Sequence, residues 1–286
     1  MGAMKMRNCV IVEVPLHITS IWLPRYTDDA LTTGSMGAGV VIRPGVRLRV
    51  TPNSGSRPDV EHVNAVLGRF GVGFSVTYES PVSLGVGYGM SAALTLGTAL
   101  GAAALLGKSM LEAAKLAHVI EVEFRTGLGD VIAEYFGGGI ELRLRPGPPG
   151  IGIIDRIPYP HDVKIVTVDM ARGSTPAMLR DLADRLNEVG PRYIDALIKE
   201  PTYEKFLELS TGFSRDIGFL TNELESRIRA CARYADSYYV KKGVLVFLTR
   251  NDETEQLLEC LSKLGLRGRV FQLSNVGVEV ILYNDR

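Results

Sequence analysis

The chain has 286 residues, of which 46% are hydrophobic and 22% charged, with 32 Lys plus Arg balanced by 32 Asp plus Glu. This is an ordinary composition for a folded chain with enough residues for one large or two modest domains. A net charge of zero gives no electrostatic basis for nucleic acid or an anionic membrane as a partner.

The three cysteines (Cys9, Cys231, Cys260) and four histidines (His17, His62, His118, His161) are dispersed without zinc-like spacing, so buried or reduced thiols are expected. No charged residue occurs from 80 to 107, a length that would span a bilayer. That run opens on Pro81 and alternating glycines, turns to Ala, Gly and Thr, and lacks an aromatic belt; it is expected as an interior helix rather than a membrane span. The opening MGAMKMRN lacks a signal-peptide core, and Met6 breaks the myristoylation pattern, so a cytoplasmic location is expected.

In chain order, residues 9–14 form a β-branched run that Pro15 is expected to end. Residues 39–42 and 46–50 flank Pro44-Gly45 and read as a hairpin. Residues 59–70 place Val60, Val63, Val66 and Leu67 on one helical face, and 73–78 alternate as a strand. Helices are expected over 91–106 and 110–124, then a glycine break at 127–129, a short helix from Asp130 and a strand over 140–144. The stretch 146–160 holds five prolines and reads as a boundary, giving units 1–155 and 156–286. Beyond it come a strand (163–168), helices (176–189, 203–219, 222–234), a strand (244–248), a helix (253–264) and one or two strands within 269–282. Strands alternating with helix pairs make the second half an α+β sandwich.

The most informative segment is Pro81-Val-Ser-Leu-Gly85-Val-Gly87-Tyr-Gly89-Met90-Ser91-Ala92-Ala93, which follows a strand and opens a helix. Glycines at alternate positions allow positive φ and close backbone approach. Successive N–H groups there, with the positive end of the following helix, suit a phosphate. A tight turn before a core helix is the plainer alternative, but the strand–loop–helix placement and Ser91 favour phosphate. The run 102–109 satisfies a loose P-loop pattern, yet its Lys108 follows a helix C-terminus, where the dipole repels anions, and Gly107 reads as a C-cap. Glu121 and Asp130 follow. A phosphoryl-transfer site needs a carboxylate for Mg²⁺ and another beside the acceptor hydroxyl; either residue could equally be a surface acid or a cap.

The order and separation of these features over roughly residues 10–145 resemble the GHMP kinase superfamily, which includes galactokinase and the homoserine, mevalonate and phosphomevalonate kinases. Its glycine–serine loop matches 81–93, its magnesium glutamate Glu121, and its acceptor-side aspartate Asp130 in Gly127-Leu-Gly-Asp130, with Gly137-Gly138 beyond. Within it the chain is most similar to the pantoate kinases of archaea, on Val14-Pro-Leu-His17-Ile18-Thr19, the stretch 28–40, and Thr126-Gly-Leu-Gly-Asp130-Val-Ile-Ala.

The resemblance implies an N-terminal domain like ribosomal protein S5 domain 2, a C-terminal ferredoxin-like domain and a homodimer. It also implies ATP with Mg²⁺, and pantoate phosphorylated on its primary hydroxyl. Gly85, Gly87, Gly89, Met90, Ser91 and Ala92 would then hold the nucleotide, Ser91 and Glu121 the metal, and Asp130 the acceptor hydroxyl. His17, Thr19, Ser35, Arg125 and Thr126 would line the acceptor pocket. Leu16, Ser20 and Met90 depart from the family pattern. Met36 stands where an arginine is expected, which leaves Arg25, Arg43 or Arg125 to meet the acceptor carboxylate. Of the glycine-rich third motif, 237–244 keeps only Ser237 and Gly243. The rival readings are another small hydroxy substrate of the homoserine, shikimate or mevalonate type, and a nucleotide-binding protein without catalysis.

Overall fold

The first 45 described residues form two long antiparallel strands, and the rest of the molecule is assembled around them. The structure, a computed structural model, describes residues 9–53, 55–170 and 175–283; the reading of the first eight residues lies outside these. Strand β1 (Cys9–Arg25) pairs with β2 (Gly34–Pro52) along nearly its whole length. Helix α1 (Glu61–Phe70), strand β3 (Phe74–Glu79), helices α2 (Met90–Leu106), α3 (Met110–Glu123) and α4 (Asp130–Phe136), and strand β4 (Ile140–Arg145) follow as expected within a residue or two.

Pro15 does not end β1, and Pro44-Gly45 does not make a hairpin. Val14 pairs with Val46 and Leu16 with Ile42, so Pro15 faces a bulge that carries Arg43, cis-Pro44 and Gly45. A proline is tolerated where the ladder is interrupted. Gly45 is required there because a Cβ would lie 2.0 Å from the Val14 carbonyl oxygen.

The proline-rich stretch 146–160 contains a short strand, β5 (Ile153–Ile157), paired with β4. Next come β6 (Val163–Asp169) and α5 (Thr175–Lys199), which runs past the expected end at 189. Pro191 costs that helix one hydrogen bond, but its apolar face continues across the proline as Leu186, Val189, Ile194 and Leu197. Helices α6 (Tyr203–Asp216) and α7 (Asn222–Ala232) precede β7 (Ser237–Lys241), a strand that its few apolar residues did not announce. Then come β8 (Val244–Arg250), α8 (Thr254–Lys263), β9 (Gly268–Leu273) and β10 (Glu279–Tyr283).

The strands join one sheet in the order β10-β1-β2-β9-β6-β8-β7, with β3 and β4 also on β2. Strand pairing therefore crosses the 155/156 division, which β5 itself straddles, as β9 returns to β2 and β10 to β1. The result is an α+β molecule. The uncharged helix α2 is buried on nearly all sides against β1 and β2. Its glycines allow the close approach: a Cβ at Gly97 would lie 2.4 Å from Leu48 Cδ1, and one at Gly101 2.5 Å from Val50 Cγ2.

Strand β6 buries both faces, Ile165 into this main core and Val166 with Val168 into a second core under α7 and α8. Cys231 and Cys260 are joined by a disulfide between α7 and α8, contrary to the expected reduced thiols; helix packing brings together residues 29 apart in sequence. No helix among the described residues is long and apolar enough to cross a membrane.

Candidate active site

The glycine loop between β3 and α2 is held from three directions. The His17 amide donates to the Tyr88 carbonyl at 3.1 Å, and the Gly243 amide donates to the Val86 carbonyl at 3.1 Å. The Tyr88 hydroxyl donates to Asp169 Oδ1 at 2.6 Å and lies 2.9 Å from Thr167 Oγ1. Gly85, Gly87 and Gly89 have φ of 87°, 135° and 70°, values that side chains rarely adopt. Gly89 is the N-cap of α2 and supplies no side-chain cap, so the first amides of the helix remain available to an anion. Residues 83–85 face solvent, while Met90 and Ala92 are buried beneath the loop, contributing main chain only.

Ser91 and Glu121 meet at the mouth of this loop. The Ser91 hydroxyl donates to Glu121 Oε1 at 2.8 Å and lies 3.1 Å from His62 Nε2. Thr95 donates to the same carboxylate oxygen at 2.8 Å. Burial pushes the Glu121 carboxyl up to about 7, with the Ser91, Thr95 and Thr126 hydroxyls opposing the rise and the charge of Asp130 adding to it. Among the described residues no cluster of three or more His, Cys, Asp or Glu could hold a metal alone. One carboxylate and one hydroxyl beside a phosphate loop is instead the sparse donor set that Mg²⁺ accepts when phosphate oxygens and water complete its shell. The residues present fit a magnesium ion that arrives with a nucleotide.

Asp130 opens α4 across a narrow gap. A Cβ at Gly127 would lie 2.8 Å from Glu121 Oε2 and 3.1 Å from Asp130 Oδ2, so the two carboxylates flank a space kept clear by that glycine. His17 Nδ1 donates to Asp130 Oδ1 at 2.7 Å, and His17 Nε2 donates to Glu141 Oε1 at 2.9 Å. Both ring nitrogens face carboxylates, which makes His17 an imidazolium. Burial works against that charge, but the hydrogen bonds to Asp130 and Glu141 outweigh it and raise the pKa. Burial likewise tends to raise Asp130, yet the His17 bond and the charges of His17, Lys241 and Arg143 hold it below the usual carboxylate range.

Arg143 Nη1 donates to Glu141 Oε1, which it shares with His17. Asp130, His17, Glu141 and Arg143 thus alternate in charge and sum to zero. Arg143 is fully buried, and its Nε and Nη2 have no partner. A Cβ at Gly129 would lie 2.7 Å from Arg143 Nε and 2.5 Å from Ser35 Oγ, so guanidinium and hydroxyl converge one residue from Asp130. Glu134 is buried with both carboxyl oxygens unpartnered, 2.5 Å from where a Cβ on Gly89 would sit. Burial, with the charges of Asp130 and Glu121 adding to it, raises its pKa well above the usual carboxylate range.

His17, Ser35, Ser91, Glu121, Asp130 and the glycines are therefore brought together. Thr126 stands beside them, its hydroxyl 3.4 Å from the Glu121 carbonyl. Thr19 is buried in β1 opposite Gly39, and Arg125 is exposed beyond α3 at φ 56°. Motif spacing did not single out His62, Glu134, Glu141, Arg143 or Lys241. A usable signal existed for Glu141 and Arg143, which are charges two apart in the apolar strand Ile140-Glu-Leu-Arg-Leu144 and so share one face.

The fold and this pairing of a glycine loop with two carboxylates define an ATP-dependent phosphotransferase acting on an alcohol, and the model of the GHMP kinases N-terminal domain matches residues 60–138. Pantoate kinase of Thermococcus kodakarensis is 31% identical over 280 residues, covering 88% of this chain and 92% of that protein. Pantoate kinase of Methanocaldococcus jannaschii is 31% identical over 225 residues, covering 74% and 82%. A solved structure described as a phosphotransferase related to the CoA biosynthesis pathway superposes with a TM-score of 0.85 at 29% identity, covering 96% of this chain and 98% of that one. The chain belongs to the pantoate kinase family of GHMP kinases.

Proposed function

We propose that this enzyme transfers the γ-phosphoryl group of ATP to the primary hydroxyl of pantoate, giving 4-phosphopantoate for coenzyme A synthesis. The observation that carries the choice of acceptor is Arg143, a buried guanidinium with two unpartnered donor nitrogens beside Ser35 and Asp130. Such a fork receives a carboxylate bidentately, and a hydroxy acid held there would turn its far hydroxyl toward Asp130. Of the three arginines first considered, Arg43 is committed elsewhere, to Ser274, Gly277 and Glu279, and Arg25 and Arg125 are exposed.

In this reading the amides of 85–92 bind the triphosphate, with the metal at Ser91 and Glu121, where Mg²⁺ would screen the phosphoryl oxygens. Asp130 Oδ1 is fixed by His17, which leaves Oδ2 to accept the hydrogen bond of the acceptor hydroxyl. The hydroxyl oxygen forms the new bond to the γ-phosphorus, the bond to the β–γ bridging oxygen breaks, and ADP leaves. A depressed Asp130 is a weak base, so it orients the hydroxyl and takes its proton late, as a loose transition state requires. Thr126 borders this pocket beside Glu121, while Thr19, buried in β1, and Arg125, exposed, are assigned to it by the family resemblance alone. Units 1–155 and 156–286 and a homodimer belong to the same reading and rest on the family resemblance.

The test is ADP formation with pantoate, homoserine, shikimate and mevalonate in turn, repeated with Asp130→Asn. Pantoate should be the preferred acceptor, and the variant should lose about 10²–10⁴ in turnover while still binding ATP. Preference for another acceptor would retire pantoate, and unchanged turnover in the variant would remove Asp130.

A further inference from the structure

Strands β7 and β8 meet at Lys242-Gly243, with Lys241 paired to Val244 and Lys242 at φ 55°. This turn is pressed against the glycine loop. Besides the Gly243–Val86 hydrogen bond, a Cβ at Gly87 would lie 3.0 Å from the Lys241 carbonyl oxygen and 3.4 Å from Lys242 Cβ. Along β7, Tyr239 and Lys241 share a face. Tyr239 donates to the Ile18 carbonyl at 3.1 Å, so this face looks onto β1, and Lys241 Nζ lies 3.3 Å from the centroid of the Trp22 ring.

Among the described residues no carboxylate pairs with the Lys241 ammonium and no acceptor takes a hydrogen bond from it. Its charge nevertheless acts on Asp130, and that of Asp130 on it. Lys241 is half-buried; its ammonium is attracted to the ring face, and its N–H donors remain available to an anion. A half-buried cation that no carboxylate neutralises attracts an arriving anion. Two anionic groups meet at Asp130 in the reaction proposed above. Arg143 stands on the His17–Glu141 side, beside Ser35. Lys241 belongs to the turn whose backbone packs against Gly87 of the glycine loop, the loop proposed to hold the phosphates.

We propose that Lys241 is a catalytic residue that donates hydrogen bonds to the γ-phosphoryl oxygens during transfer, so that the C-terminal half completes the phosphate site. The inference rests on the phosphoryl-transfer reading above. Lys241 forms and breaks no covalent bond; it offsets the negative charge on the transferring group as the bridging oxygen departs. The stretch that kept only Ser237 and Gly243 of the glycine-rich third motif thereby contributes side-chain charge to the site.

The experiment measures binding of ADP and of the non-hydrolysable β,γ-imido analogue of ATP, each with Mg²⁺, by calorimetry. It compares wild type, Lys241→Met and Lys241→Arg, with thermal unfolding and pantoate turnover recorded alongside. A charge-assisted hydrogen bond is worth roughly a tenfold change or more in affinity. Lys241→Met should therefore lower the preference for the imido analogue over ADP about tenfold, while ADP affinity stays within about twofold. Its kcat should fall by about 10²–10³, the cost of losing one such donor, with the pantoate KM nearly unchanged. Lys241→Arg should retain the nucleotide preference. An unchanged preference and kcat in Lys241→Met, with only a lower unfolding temperature, would overturn the inference and leave Lys241 as a prop for Trp22. If wild type ignores pantoate, the acceptor assignment fails, and the nucleotide preference alone still decides the role of Lys241.

Discussion

Asp130 divides its two oxygens between two tasks. Oδ1 is tied to the imidazolium of His17, and Oδ2 looks across Gly127 toward Glu121, into the gap where the proposed reaction would bring hydroxyl and phosphate together. The supporting charges, Glu141 and Arg143, are buried and mutually compensating, which fixes the imidazolium without adding net charge. Lys241 differs because burial lowers its pKa to about 7; Asp130 opposes the shift, while Arg143 and Lys242 reinforce it. Those three groups, with the Trp22 ring, are what Lys241 faces from α4, β4, its own turn and β1. The sign follows directly. A base whose pKa falls to about 7 is cationic below that pH and loses its charge above it. The kcat/KM for ATP, which reports the free enzyme, should fall as pH rises through about 7. In Lys241→Arg that limb should vanish, because guanidinium does not deprotonate. A limb that persists in the arginine variant would assign it to another group.

Glu121, Asp130 and the loop glycines were legible because they lie within one stretch of chain at fixed separations. Arg143 and Lys241 were not, because each reaches the site through strand pairing that spacing along the chain does not encode.

At the level of elements, α2 shows how local composition can be sufficient. An uncharged run of Ala, Gly and Thr reads as an interior helix, and Gly97 and Gly101 seat it against Leu48 and Val50. Pro15 and Pro44 show the opposite case. Each suggests a break when read alone, and only their pairing across β1 and β2 turns both into one bulge. The disulfide between α7 and α8 was likewise hidden, since cysteines 29 apart carry no motif. Closing a loop of that size should stabilise the fold by about 3–4 kcal/mol. It braces the second core beneath α7 and α8 and takes no part in the site. Reductant should therefore lower the free energy of denaturant unfolding by about that amount and leave kcat unchanged. Equal unfolding curves with and without reductant would show that the cross-link adds no stability.

For the whole molecule, the decisive feature is that the two halves share one sheet and one loop. Strands β9 and β10 return to β2 and β1, while β6 and the β7–β8 turn hold Tyr88 and Val86. The glycine loop thus takes its position from both halves, so the proposed phosphate site depends on contacts from each of them. The proline-rich stretch 146–160 suggested a linker, and composition gave no sign that strands beyond it would come back. What this closed arrangement is proposed to do is place a phosphoryl group on one hydroxyl of an acceptor that has two. Phosphorus NMR of the product formed from ATP and pantoate tests this most directly. The account predicts a single new phosphomonoester resonance split by two methylene protons, which places phosphorus on the primary oxygen. A resonance coupled to one methine proton, or inorganic phosphate alone, would contradict it.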